Sequence, residues 1–254
     1  MPSVMTNIER RRYRDHGLVF PILILGRAEA CSFRARCDEL EQQLGGRPRT
    51  IEVRQMHLHF PWAWALATHP QVLDAVGDVL GADLLIWATE LFAKHPHDSA
   101  IAISWHRDRP YMGFEGPATT AWIALSDCTP QNGCMQVRPR DGSEIAAIDS
   151  ESIVNVELRP GEMSLHDPDV LHGSQANTGD EKRVGFAIRF VTPDARPLRG
   201  RPLVALARGK VPDDRFELIP PPNEGQSDNA VAALRNSAAA HFDSVLENLQ
   251  LAGP

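Results

Sequence analysis

The residues most suited to chemistry are a histidine and an aspartate two positions apart, His106 and Asp108. At the end of a β-strand, both side chains would project from one face of the sheet. A second histidine, His172, follows a predicted turn 66 residues further along the chain. Two histidines and one carboxylate form the facial triad of non-haem iron(II) oxygenases, which leaves metal positions open for O2 and a co-substrate. A His-x-Asp pair alone is a weak signal, but the second histidine strengthens it, and together they predict an iron(II) site.

An arginine beyond the second histidine is suited to hold the far carboxylate of a chelating co-substrate. Arg183 begins a run in which apolar residues alternate with Gly185 and Ala187. A planar guanidinium can bind a carboxylate through two parallel hydrogen bonds. Because alternate residues of a strand share a face, the two small residues would leave room for a ligand beside Arg183. The alternative is a surface arginine at the start of an edge strand.

Short apolar runs between turn residues predict the elements that must position these side chains. The predicted strands are residues 17–26, 84–93, 100–106, 119–125, 134–138, 153–158, 162–166 and 183–191, and the predicted helices are residues 28–44, 70–80 and 229–251. This order predicts a mainly β fold with flanking helices, a double-stranded β-helix of the jelly-roll, cupin-like kind.

The length of the chain is compatible with one catalytic domain over residues 1–254. Within it we expect a helical part over about residues 1–82, a jelly-roll core over about 83–195, and a C-terminal extension with a helix over about 196–254. A proline-rich stretch at residues 220–225 is predicted to be a linker or loop inside that extension.

Composition narrows the classes of partner. The net charge is −7 and no long basic block occurs, which argues against a nucleic-acid partner and favours a small-molecule substrate. No stretch is apolar for long enough to predict a membrane span, and a cytoplasmic location is the default expectation. The four cysteines lack Cys-x-x-Cys spacing and are predicted to be reduced structural thiols. The sequence carries no prediction of oligomeric state.

Several short motifs occur in the order found in one enzyme family. They include Trp105-His106-Arg107-Asp108, Ala121-Trp122-Ile123-Ala124-Leu125, Gln131-Asn132-Gly133-Cys134-Met135, Pro160-Gly161-Glu162, His172-Gly173-Ser174 and Lys182-Arg183. On these motifs, over most of its length, the chain resembles a bacterial member of the phytanoyl-CoA dioxygenase-like family of iron(II)/2-oxoglutarate enzymes. Several motifs in order are more specific than any one of them.

The resemblance implies a cofactor set and roles for individual residues. Iron(II) would be bound by His106, Asp108 and His172, and 2-oxoglutarate by Arg183 with help from the Ser174 hydroxyl. Trp122 matches a family position that lines the co-substrate, although a core aromatic on a central strand is an equal alternative. O2 would then be consumed to hydroxylate a small organic molecule, with release of succinate and CO2.

Substrate identity is the least determined feature. Arg107 and Arg109 flank the predicted metal aspartate and could bind an anionic substrate, or they could point to solvent. Residues 138–144 (Arg-Pro-Arg-Asp-Gly-Ser-Glu) depart from the family pattern at the predicted rim of the site, so the family's substrates do not carry over.

Other outcomes remain open at this stage. Desaturation and cyclisation need the same ligands as hydroxylation. The family's halogenating relatives replace the metal aspartate with a small residue, so Asp108 argues against halogenation. The alternative from a different class is a non-catalytic jelly-roll protein that binds a metal or other ligand.

Overall fold

The computed structural model describes residues 4–98, 102–140, 153–210, 213–223 and 229–252. The helices are α1 (Asn7–His16), α2 (Arg27–Gln43), α3 (Pro61–Ala67), α4 (Pro70–Leu80), α5 (Arg109–Met112) and α6 (Ala230–Ala252), with 3-10 turns at Thr50–Glu52 and Met56–Leu58. The strands are β1 (Leu18–Leu23), β2 (Leu84–Lys94), β3 (Ile103–His106), β4 (Phe114–Glu115), β5 (Ala118–Ala124), β6 (Met135–Arg138), β7 (Val154–Val156), β8 (Glu162–His166), β9 (Leu171–Ser174), β10 (Arg183–Val191), β11 (Arg196–Pro197), β12 (Leu203–Arg208) and β13 (Glu217–Ile219).

Two sheets build the centre of the molecule. The large sheet has the order β1-β8-β5-β10-β2-β12-β13, and the smaller one has the order β3-β9-β6-β7. Every pairing is antiparallel except that of β12 with β13. Trp122 and Ala187 of the large sheet share an apolar cluster with Met135 and Val137 of the small one, so the two sheets face each other. The predicted jelly roll with flanking helices is thereby confirmed.

Strand β10 illustrates how sequence alternation separates core from cavity. Its apolar residues Val184, Phe186, Ile188 and Phe190 are fully buried in the cluster that includes the helices packed on the outer face of the large sheet. The intervening residues therefore face the smaller sheet, because side chains of a strand alternate between its two faces. Polar residues on that inner face are free to form a site.

The helices packed outside the sheet follow their sequence signals. Helix α4 spans the predicted residues, with Pro70 in its first turn and Gly81 at its C-terminal cap with a φ of 96°. Its Val72 and Val76 are completely buried. Helix α1, for which the sequence analysis made no prediction, begins with a capping box between Thr6 and Glu9.

The C-terminal part contributes more structure than the proline-rich composition indicated. Strand β12 pairs with β2 and extends the large sheet, while β1 from the N-terminal part lies at its opposite edge. Strands from all three predicted parts of the chain therefore lie in one sheet. Helix α6 packs against α5 and the 3-10 turn at Thr50–Glu52. Of the predicted proline-rich loop, residues 224–225 lie outside the described residues.

Two expectations from the sequence concern membrane-spanning segments and the state of the cysteines. No helix in the described part of the chain combines the length and the apolar character needed to span a membrane. The cysteines are free thiols, of which Cys37, Cys128 and Cys134 are buried. Burial raises the pKa of Cys37 and Cys128 to about 12, so these two thiols stay protonated at neutral pH.

Candidate active site

The predicted triad converges between the two sheets. His106 ends β3, and its register partner on β9 is His172, so the pairing of two strands distant in sequence brings the imidazoles together. Asp108 follows β3 in the turn that begins α5. The candidate ligand atoms of the three residues all lie within 4.8 Å of one another. Within the described residues, no other group of three histidine, cysteine or acidic side chains comes this close.

Backbone carbonyls orient both imidazoles. His106 Nδ1 lies 2.8 Å from the carbonyl of Ser104, and His172 Nδ1 lies 2.9 Å from that of Val170. Because a carbonyl only accepts, each Nδ1 is the protonated nitrogen, which leaves the lone pair of each Nε2 available to a metal. Burial lowers the pKa of His172 to about 3, so this ligand is neutral at physiological pH, as metal binding requires.

Asp108 is held ionised by residues of the large sheet. Its carboxylate accepts from Thr120 Oγ1 at 2.8 Å, and Arg189 Nε lies 3.4 Å from Oδ2. Burial alone would raise the pKa of Asp108, but the charge of Arg189 and the neighbouring imidazoles of His106 and His166 hold it well below its usual range. The carboxylate is therefore available as an anionic ligand in the folded protein.

Arg189 belongs to a chain of alternating charges that the sequence analysis missed. Its Nη1 donates to Glu90 Oε2 at 2.9 Å, and Glu90 Oε1 accepts from Arg54 Nε at 2.8 Å. A signal was available, because Arg189 lies six residues after Arg183 on the same strand and so shares its face. Strand alternation does not identify its partners Glu90 and Asp108, because they lie on other segments of the chain.

The other end of β10 holds two buried cations. Arg183 is 2% exposed, its Nη1 donates to the carbonyl of Gly133, and its guanidinium carbon lies 4.7 Å from the centre of the Trp122 ring. Its register partner Lys94 is 1% exposed and donates to Ser174 Oγ at 2.6 Å. Among the described residues, neither cation forms an ion pair with a carboxylate, and Arg183 Nε has no hydrogen-bond partner. A pair of buried, uncompensated cations fits a bound anion.

Lys94 is the second residue that the sequence analysis did not assign to the site. An isolated lysine at the end of a strand carries no sequence signal of its own. Only the pairing of β2 with β10 places it opposite Arg183.

Trp122 lines the cavity beside Arg183, and its contact with a co-substrate stays a prediction. A methyl group added at Gly185 would lie only 1.8 Å from Trp122 Cζ2, so the indole packs directly on this glycine. The room beside Gly185 that the sequence analysis assigned to a ligand is therefore filled by Trp122. The Arg183 guanidinium packs on the indole, and both residues line the cavity that contains the triad.

His166 lies beside the triad without a hydrogen bond. It is 1% exposed, its ring centre lies 4.8 Å from that of His172, and its Nε2 lies 3.7 Å from Asp108 Oδ2. Neither ring nitrogen has a hydrogen-bond partner among the described residues. Unpaired buried polar atoms are costly in a folded protein, and a group bound at the triad would supply the missing partner.

The predicted substrate arginines are held outside the cavity that contains the triad. Arg107 Nε donates to the carbonyl of Asp169 at 2.8 Å, and Arg109 forms a bidentate ion pair with the Asp169 carboxylate. Neither lines the cavity, and their role in substrate binding stays a prediction. Arg138 stacks over Trp105, which does line it. Residues 141–144 of the predicted rim lie outside the described residues.

The triad opens into a cavity of about 410 Å³ between the two sheets. This volume suits a small organic ligand. Thr50 and Ile51 of a 3-10 turn, together with His241 and Val245 of α6, line the cavity, so the C-terminal helix forms part of its wall. Its aromatic lining consists of Trp87, Phe92, Trp105, Tyr111 and Trp122.

Comparison with known proteins identifies the family of the chain. The sequence profile of the phytanoyl-CoA dioxygenase (PhyH) family matches residues 24–185. A probable phytanoyl-CoA dioxygenase of Caenorhabditis elegans is 26% identical over 163 residues, which are 53% of this chain and 52% of that protein, so the match spans about half of the curated relative.

Two solved structures extend the likeness to most of the chain. The non-haem monooxygenase ThoJ, solved as a nickel complex, is 32% identical, with a TM-score of 0.80 over 94% of this chain and 99% of ThoJ. The non-haem, α-ketoglutarate-dependent epimerase SnoN of nogalamycin biosynthesis is 25% identical, with a TM-score of 0.64 over 86% of this chain and 96% of SnoN.

Proposed function

Because the chain belongs to the phytanoyl-CoA dioxygenase family, we propose that it is a non-haem iron(II), 2-oxoglutarate-dependent oxygenase that hydroxylates a small organic molecule. The convergence of His106, Asp108 and His172 beside two uncompensated buried cations is the observation that carries this proposal. His106 and His172 lie on strands of the smaller sheet and Arg183 lies on the larger one, and all three line the cavity between the sheets.

Iron(II) would be held by His106 Nε2, His172 Nε2 and the Asp108 carboxylate. Two imidazoles and one carboxylate are the donor set of non-haem iron(II) oxygenases, and three protein ligands leave positions for a chelating co-substrate and O2. Arg189 and Thr120 would keep the carboxylate ionised and fix its orientation towards the histidines.

The far carboxylate of 2-oxoglutarate would be held by Arg183, with Lys94 and Ser174 beside it. Arg183 Nε has no hydrogen-bond partner in the part of the chain that the structure describes, and a carboxylate would supply one while compensating the buried charge. When bound, iron and 2-oxoglutarate would supply the O2-activating chemistry, with succinate and CO2 as products. The chain itself would orient the co-substrate with Trp122 and exclude water with the aromatic lining of the cavity.

Hydroxylation is preferred here over the other outcomes that this ligand set permits. SnoN is an epimerase, so relatives at this level of identity do not all share one reaction. Asp108 is the residue that halogenating relatives replace with a small one, and its presence disfavours halogenation. Desaturation and cyclisation are the alternatives within the same chemistry, and a non-catalytic ligand-binding role is the alternative outside it.

The proposal is tested by measuring succinate and CO2 from 2-oxoglutarate with iron(II), ascorbate and O2. Asp108→Ala and His172→Ala should abolish formation of both products, because each removes one of three metal ligands. Asp180→Ala, which removes a carboxylate that is 92% exposed, is the control and should retain full turnover. Full turnover by both ligand variants would refute the assignment.

The reaction outcome needs a second measurement. A panel of small organic compounds should include one that stimulates 2-oxoglutarate consumption and gains a single oxygen atom by mass spectrometry. A product that instead loses two hydrogens would replace hydroxylation by desaturation or ring closure.

A further inference from the structure

The end of the cavity remote from Arg183 is built from three separate segments. Trp87 lies seven residues before Lys94 on β2, which places the two side chains roughly 23 Å apart along an extended strand. The His241 ring of α6 lies 4.8 Å from the Trp87 ring, and Arg54 reaches this end from the segment that follows the Thr50–Glu52 turn. Arg54, Trp87 and His241 all line the cavity.

The charged groups at this end compensate one another. Arg54 pairs with Glu90, Glu90 with Arg189, and Arg189 with Asp108, so two cations alternate with two carboxylates. Burial also lowers the pKa of His241 to about 3, so its imidazole is uncharged at neutral pH. A charged substrate group would lose its hydration here without gaining an uncompensated partner, which is unfavourable.

Two hydrogen-bond donors at this end are nevertheless unused. Arg54 Nη1 is buried and has no hydrogen-bond partner within the part of the chain that the structure describes. Gln55 Nε2 lies 3.2 Å from the Trp87 carbonyl, which only accepts, so this atom is a donor, and it also lies 2.9 Å from His241 Nδ1. His241 Nδ1 is then the acceptor, and the proton of the neutral ring is on Nε2. His241 Nε2 is therefore the second donor left unused by the described residues.

The backbone of Gln55 supports a fixed arrangement. Gln55 has a φ of 61°, which residues other than glycine rarely adopt, and its amide N–H donates to the Thr89 carbonyl at 2.8 Å. An unusual backbone conformation that persists in a folded protein is held by its surroundings and is common at ligand sites.

We propose that Arg54 Nη1 and His241 Nε2 bind an uncharged hydrogen-bond acceptor of the substrate, such as an amide or ketone oxygen. The inference rests on the proposed function and names the substrate class of the same cavity. Trp87 and Tyr111 would hold the apolar part of the substrate next to that oxygen. Because a buried donor without a partner costs free energy, a substrate lacking the acceptor would be rejected.

The test uses three probes that share a benzyl group and differ in charge: phenylacetamide, phenylmethanesulfonate and 2-phenylethylammonium. Each probe is titrated by calorimetry into the full chain saturated with zinc(II) and 2-oxoglutarate. Zinc(II) replaces iron(II) because the zinc-loaded protein does not turn over. The neutral amide should bind at least about fivefold more tightly than either ion. Tighter binding of either ion, or no binding of any probe while 2-oxoglutarate binds normally, would overturn the subsite.

Variants then test the two donors. Arg54→Met and His241→Phe keep the approximate shape of the side chains and should each weaken phenylacetamide binding by about tenfold. Arg49→Met, which changes an exposed arginine in the same segment, should leave it unchanged. Equal affinity in the wild type and in a folded donor variant would remove that donor from the proposal, and His241→Phe remains decisive if Arg54→Met does not fold.

Titration with 2-oxoglutarate separates this inference from the proposed function. All three variants should bind 2-oxoglutarate with wild-type affinity, because the Arg183 end is untouched. Failure of the wild-type protein to bind 2-oxoglutarate would refute the proposed function. Normal 2-oxoglutarate binding, with no preference for the amide over the charged probes, would refute the subsite alone.

Discussion

The two ends of the cavity contain buried cations in opposite electrostatic situations. At one end, Arg183 and Lys94 face each other across paired strands, and no carboxylate of the described residues compensates them. At the other end, Arg189 and Arg54 alternate with Asp108 and Glu90. The four arginine and lysine side chains are similar in chemistry, but only Arg183 and Lys94 lack a carboxylate partner among the described residues.

This difference indicates what each end is for. A buried charge is costly unless it is paired, so the pair that no described carboxylate compensates is suited to bind an anionic ligand. The compensated pair instead holds protein groups in place, above all the Asp108 carboxylate beside the two histidines. An arginine in an active-site cavity is therefore not by itself a sign of an anionic substrate.

The largest expected effect on this difference comes from replacing one arginine at each end and measuring the free energy of unfolding. Arg189→Met should lower the free energy of unfolding of the metal-free protein by about 3–5 kcal/mol, because Asp108 is left buried without its cation. Arg183→Met should raise it by about 1 kcal/mol, because an uncompensated charge is lost. Urea unfolding of both variants without 2-oxoglutarate measures this, and changes of the same sign would contradict the distinction.

Affinity for 2-oxoglutarate should separate the same two variants. Arg183→Met should weaken 2-oxoglutarate binding to the zinc-loaded protein by about 100-fold, or about 2.7 kcal/mol, since a charge-assisted pair is lost. Arg189→Met should instead weaken zinc binding and leave the anion site intact in protein saturated with the metal. Calorimetric titration with 2-oxoglutarate and with zinc measures both effects. Wild-type 2-oxoglutarate affinity in Arg183→Met would contradict the assignment of Arg183 to the anion site.

Crowding Trp122 should disturb the uncompensated end without changing any charge. Gly185→Ala would place a methyl group against the indole and move it off the Arg183 guanidinium. We expect about tenfold weaker 2-oxoglutarate binding and a shifted tryptophan fluorescence maximum. Gly179→Ala is the matched control, because its methyl group would come no closer than 3.5 Å to the nearest atom. An unchanged affinity in Gly185→Ala would mean that Trp122 does not shape the anion site.

The smallest expected effect is a pH dependence at Lys94. Burial and then the charge of Arg183 lower the pKa of Lys94 to about 7 in the ligand-free protein. As pH rises through this value Lys94 loses its proton, and binding of an anion must restore it. The dissociation constant for 2-oxoglutarate should therefore be about threefold higher near pH 7.5 than near pH 6.5. Lys94→Met should flatten this profile, and a profile equally steep in that variant would assign the titration elsewhere.

Local sequence patterns were sufficient for several elements and for the central residues of the site. Helix α4 occupies the predicted residues because its proline start, apolar stripe and glycine stop are all local signals. The bounds of β8 and β10 also match, since turn residues flank an alternating apolar run. His106, Asp108, His172 and Arg183 were chosen by residue type and spacing, and the structure brings the first three together.

The sequence by itself thus determined the alternation of each strand and the residue types that could bind a metal and an anion, because these depend on neighbours along the chain. Tertiary structure alone decided which strands pair, and so set Lys94 opposite Arg183, gave Asp108 its cation, tied Arg109 to Asp169 and brought α6 over the cavity. Such contacts join residues far apart in sequence, and their register follows from how the whole set of side chains packs.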